Sequence, residues 1–94
     1  MAWRLTNREH RFVFDLVDDC VSTVAVPGEP RMDEDQLEDI LTKLVGDKTL
    51  NLPERNFITE LIEFWGKDIY KIYDIDPPEV SDLLKKLRDG HAQR

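Results

Sequence analysis

A single thiol, two imidazoles, two close-set groups of acids and a cluster of aromatics are the side chains of this 94-residue chain that could carry chemistry. Cys20 could serve as a nucleophile only as a thiolate, beside His10 or His91. Its position argues against that role. Phe12, Val13, Leu16, Val17, Cys20, Val21 and Val24 recur at helical spacing, and Cys20 stands in the middle of that series, where a small buried hydrophobe belongs. The neighbouring Asp19 disfavours a thiolate further. Asp33-Glu34-Asp35 and Asp74-Ile75-Asp76 each bring two aspartates close enough to suggest a divalent cation. A calcium loop opening at Asp74 needs glycine at its sixth position and glutamate at its twelfth. Glu79 and Lys85 stand there, and acids at a helix start are sufficiently explained by the helix dipole. Walker-type and G-x-G-x-x-G loops, His-Glu-x-x-His and paired cysteines do not occur. The sequence thus predicts no catalytic residue, no cofactor and no metal, and reads as a non-enzyme.

What remains is recognition surface. Residues 15–82 hold eighteen acids against six basic side chains, a net −12 inside a chain of net charge −7, while both ends are weakly basic. Such a surface repels phosphate backbones, so no direct nucleic-acid partner is expected. Another protein with a basic surface is. The acids placed to meet it are Asp15 and Asp18 on the first helix and Asp35, Glu38 and Asp39 on the second. Phe64, Trp65, Tyr70 and Tyr73 put half of the aromatics into ten residues. Trp65 sits central to a helical face and reads as core. Tyr70, if its helix is continuous, points away from that face as an exposed interface anchor.

The elements that position these residues are all helical. Thr6-Asn7-Arg8-Glu9 is a capping-box pattern opening the first helix. Its apolar positions, with Phe14, cover roughly 200° of the wheel, as expected of a helix that touches more than one neighbour. Trp3 ahead of the cap can fold back as a staple. The β-branched end from Ser22 to Val26 should fray before the Pro27-Gly28-Glu29-Pro30 loop. Asp33 to Gln36 repeats the capping pattern, and Leu37, Ile40, Leu41, Leu44 and Val45 form a second apolar stripe that Gly46 ends. Pro53 suits the first turn of a third helix, with Phe57, Ile58, Leu61, Ile62 and Trp65 facing one way and Glu63–Lys67 an exposed pair. Continuing past Gly66 would put Asp68 among apolar residues, so a kink or restart is expected there, followed by a short face of Ile69, Ile72 and Tyr73. Asp74-Ile75-Asp76 reads as extended. Asp76-Pro77-Pro78-Glu79 opens the last helix, with Val80, Leu83, Leu84 and Leu87 as its stripe, Asp82–Lys86 as a surface pair and Gly90 as its stop. The prediction is an all-α, small single-domain bundle of four short helices, five if the chain restarts after Gly66. One domain spans residues 1–94, with a flexible tail at 91–94.

No segment approaches the roughly 20 apolar residues of a membrane span, and no secretory signal or Asn-x-Ser/Thr sequence is present, so no membrane partner and a cytoplasmic location are expected. The first reading is therefore a small acidic interaction module that docks a partner through an acidic and aromatic helical face. Two broad apolar faces could also bury one another in a homodimer. The alternative is an acidic inhibitor that fills the cationic site of a nucleic-acid enzyme as a phosphate mimic. Leu52-Pro53-Glu54 to Trp65-Gly66-Lys67, with the helix-rich layout and acid-bearing second helix, resembles small bacterial nuclease-toxin immunity proteins, which implies that alternative. The resemblance covers under a fifth of the chain, the long last helix departs from it, and it assigns no residue a role. Charge arrangement separates the two: a mimic displays its acids on one continuous face, whereas an adaptor displays an apolar patch rimmed by charge.

Overall fold

The computed structural model describes residues 5–22, 27–46 and 48–89. Within them the chain is an all-α bundle of five helices: α1 (Asn7–Ser22), α2 (Glu34–Val45), α3 (Leu52–Trp65), α4 (Asp68–Ile72) and α5 (Pro77–Asp89). The staple at Trp3, the fraying segment 23–26, the stop at Gly90 and the tail at 91–94 lie outside the described residues. No described helix is long and apolar enough to cross a membrane.

Each start has a local cause. At α1 the Thr6 N–H donates to Glu9 Oε1 at 2.8 Å and the Glu9 N–H to Thr6 Oγ1 at 3.1 Å, a reciprocal box that satisfies two donors the helix leaves free. Gln36 closes the start of α2 by accepting from the Asp33 N–H at 3.1 Å. At α3 the same device is built from Asn51 and Glu54, with bonds of 2.8 and 2.9 Å and proline in the first turn. The pattern Asn51-Leu52-Pro53-Glu54 carries this signal, which Pro53 by itself does not show.

Phe12, Val13, Leu16, Val17 and Cys20 from α1 meet Leu37, Ile40 and Leu44 from α2 and Ile58 and Leu61 from α3 in one core. Leu83 and Leu87 of α5 close it, and Ile69 of α4 is fully buried. Fully burying such a side chain is worth about 1.5–3 kcal/mol, so the stripes rather than helix propensity hold these short helices in place. The wide apolar arc of α1 is used as expected, against both α2 and α5.

The chain restarts at Gly66, as the misplaced Asp68 required. Gly66 has φ 56° and ψ −125°, the first central position of a type II′ turn, which lets α4 leave in a new direction. That ending overturns the Glu63–Lys67 pair: Lys67 lies beyond the helix, and Glu63 stands 3.8 Å from Arg88 instead. The Asp82–Lys86 pair is also replaced, because Lys86 reaches the buried Glu9 at 2.6 Å. Val45 and Ile72, expected in apolar stripes, are 73% and 57% exposed. Each is the last residue of its helix, where the chain turns off the core before the next residue can cover it. Asp74 is not extended but left-handed, with φ 52°.

Candidate functional site

An open groove of about 480 Å³ lies between α1 and the turn joining α4 to α5. Phe12, Tyr73 and Ile75 give it an apolar and aromatic wall, Ile72 stands exposed along it, and Arg8, Arg11, Asp15 and Asp74 supply charge. The Phe12 and Tyr73 rings meet edge to face, their centroids 5.4 Å apart. This geometry adds about 0.5–1.5 kcal/mol to their burial.

Three interactions fix the groove. The Tyr73 hydroxyl donates to Asp19 Oδ2 at 2.5 Å, and burial together with that carboxylate pushes the phenol well above its ordinary pKa. Arg8 donates to both carboxylate oxygens of Glu79, at 2.6 and 3.0 Å, and to the Asp74 carbonyl at 3.2 Å. The guanidinium, with the Asp76 N–H, holds the Glu79 carboxyl below its usual range. Asp74 accepts its left-handed backbone because a short polar side chain tolerates it, and the turned carbonyl is the one Arg8 binds. Arg11 is looser: it lies 4.0 Å from Asp15, one turn on, with its side chain 87% exposed.

The predicted site residues are spread over α1, α2 and α4. Asp15 lines the groove, on the side of α1 that faces Tyr73. His10 lies about 140° around the same helix and donates from Nε2 to the Leu44 carbonyl at the end of α2. Asp15 and α2 therefore flank opposite sides of α1. Asp18 is exposed, as are Asp35, Glu38 and Asp39, which occupy the side of α2 away from buried Leu37, Ile40 and Leu44. Tyr70 is not an exposed anchor: because the helix restarts at Gly66, it is half-buried and packs against the core. The aromatic that lines the groove is Tyr73.

Other groups with chemical potential are committed to structure. Cys20 is buried, and the loss of solvation pushes its thiol up to about 11, with Glu29 and Asp19 adding to the effect. His10 is engaged with α2 rather than with the thiol. Glu54, nearly buried, takes both oxygens to Lys43 Nζ at 2.9 and 3.0 Å, and Glu9 pairs with Lys86. Arg55 is buried with Nη1 on the Leu50 carbonyl and Nε lacking a partner. Among the described residues no three His, Cys, Asp or Glu side chains gather to hold a metal. Pairings that join α1 to α5 have no signature in the sequence, which is why Arg8 and Glu9 were legible only as parts of a cap.

No family model matches the chain, and no curated protein or solved structure is significantly similar to it.

Proposed function

We propose that this chain is a small acidic, non-enzymatic interaction module, working in the cytoplasm, that docks another protein through the groove between α1 and the α4–α5 turn. The carrying observation is the exposed Ile72 beside the Phe12–Tyr73 pair, with Arg11, Asp15 and Asp74 around it. With Phe12 and Ile75 buried, the exposed Ile72 and the half-buried edge of Tyr73 make a small apolar spot rimmed by charge, the arrangement an adaptor displays. The non-enzymatic part is supported by the engaged state of the reactive groups: the thiol is buried and protonated, His10 is on a carbonyl, and Tyr73 is on Asp19.

A second reading, the acidic inhibitor of a nucleic-acid enzyme, draws support from Glu34, Asp35, Glu38 and Asp39, all exposed on α2. Photo-crosslinking separates the two. A photoreactive residue at position 72 should capture a partner, and one at position 39 should not. Capture from position 39 alone would replace the adaptor with the inhibitor. A product of twice the chain mass from position 72 would make the partner a second copy.

A further inference from the structure

We infer that the groove seats a basic amphipathic helix of a partner protein, an apolar side chain covering Ile72 against the Phe12–Tyr73 pair and a Lys or Arg reaching Asp15 and Asp74. The inference rests on the docking function proposed above and names the occupant. Charge is the first argument. Arg8 is held by both oxygens of Glu79 and by the Asp74 carbonyl, so the Glu79 carboxylate offsets its charge where it stands. Arg11 offsets Asp15 only across 4.0 Å. Asp74 and Asp76 are both exposed and near enough to act on Arg8, which leaves the rim with an excess of carboxylate. An anionic segment would be repelled there; a cationic one would be steered in.

Shape is the second argument. A peptide that adds as a strand finds no edge among the described residues, and a polyproline segment would need exposed aromatics where Phe12 is buried and Tyr73 half-buried. A helix instead lays one apolar stripe into a groove, with polar residues left at the rim. The exposed Ile72 at the end of α4, set against an aromatic edge, is what such a stripe would cover.

The test uses the full chain and two fluorescein-labelled peptides of about 16 residues, long enough for marginal helicity: a leucine–lysine amphipathic helix and its twin with glutamate for lysine. At low salt the lysine peptide should bind at least about tenfold more tightly than its twin and weaken as salt rises. Ile72→Ser and Asp74→Asn should each weaken it by about five- to tenfold, while the double change Glu38→Gln with Asp39→Asn should alter binding by less than about twofold. Asparagine tolerates a left-handed backbone, so Asp74→Asn keeps the turn. Binding insensitive to Ile72→Ser and Asp74→Asn would overturn the inference, since attraction by overall charge would then suffice. Preference for the glutamate twin would overturn the cationic occupant but leave the docking function standing. If neither peptide binds, the inference fails; crosslinks from position 72 would then still support docking, and their absence would remove both.

Discussion

Arg8 and Glu79 stand 71 positions apart and form a two-point guanidinium–carboxylate pair that ties the first turn of α1 to the first turn of α5. Both are solvent-accessible, so the pair acts as a fastening for the groove rather than as a large source of stability. The Glu79 carboxyl is held below its ordinary value in the folded chain, chiefly by Arg8. Its contribution is therefore present above the unfolded carboxylate value of about 4.3 and is lost as pH falls through the folded one. Glu79→Gln should flatten the acid limb: the urea midpoint should fall less between neutral and acid pH than in the parent chain, and the difference should shrink in high salt. Identical acid limbs would show that the pair does nothing for folding.

Glu54 is worth more. It is nearly buried, binds Lys43 through both oxygens, and accepts the Asn51 N–H that α3 would otherwise leave free. Glu54→Ala should cost about 2–3 kcal/mol in chemical denaturation, combining a lost cap with a broken partly buried pair. Glu60→Ala, on an exposed position of the same helix, should stay within about 0.5 kcal/mol. Equal effects would place the stability of α3 entirely in its apolar stripe.

Gly66 is required for its backbone, not for space. A Cβ there would touch nothing within 4 Å, yet φ 56° with ψ −125° is a conformation that side-chain-bearing residues rarely adopt. Gly66→Ala should destabilise by about 1–3 kcal/mol from this strain alone. Gly46, with φ −84°, tests the distinction: Gly46→Ala should be nearly neutral although it also follows a helix. A neutral Gly66→Ala would mean that α4 can leave α3 by another path.

These sites show how far the sequence could be read. The apolar stripes, the caps at Thr6 and Asp33 and the break at Gly66 are local or periodic features, and each appears where spacing placed it except for the helix-end residues Val45 and Ile72. Apart from the loose Arg11–Asp15 pair, charge pairing among the described residues did not follow local spacing. Lys86 and Glu63 have i,i+4 partners on the wheel, yet they turn to Glu9 and Arg88 on other helices, because tertiary packing brings those groups near. The groove was illegible for the same reason. It needs Phe12 and Tyr73 together, which follows from the restart after Gly66, and that restart also turned Tyr70 against the core.

Cys20 should behave as a core residue. With the thiol pushed up to about 11 by burial, its reaction with a disulfide reagent near pH 8 should be at least about a hundredfold slower in the native chain than in denaturant. Because the folded value is raised, the neutral thiol stabilises the fold below the unfolded value of about 8.5, and that contribution is lost as pH rises toward 11. Rapid native-state labelling would put the thiol at a surface and reopen nucleophilic chemistry.

Tyr73 allows the two causes of its raised pKa to be separated. The chain has two tyrosines, so Tyr70→Phe leaves Tyr73 as the sole phenol and keeps a ring at the half-buried position 70. Absorbance near 295 nm should then show no ionisation through the ordinary range around pH 10 while the fold persists. Burial is the larger cause and the Asp19 carboxylate the second. Adding Asp19→Asn removes the negative charge but leaves the ring against Phe12, so the ionisation should move down only part of the way. Full return to an ordinary phenol would make Asp19 the dominant cause and mean that water reaches the Tyr73 edge freely. The protonated phenol supports the fold below about pH 10, and that support is lost as pH climbs through the folded value. Tyr73→Phe should cost about 1 kcal/mol at neutral pH, the worth of a hydrogen bond to a charged group at a partly exposed site. If the same substitution leaves stability unchanged while the Phe12→Ala cost stays near 3 kcal/mol or more, the aromatic contact alone holds that wall of the groove.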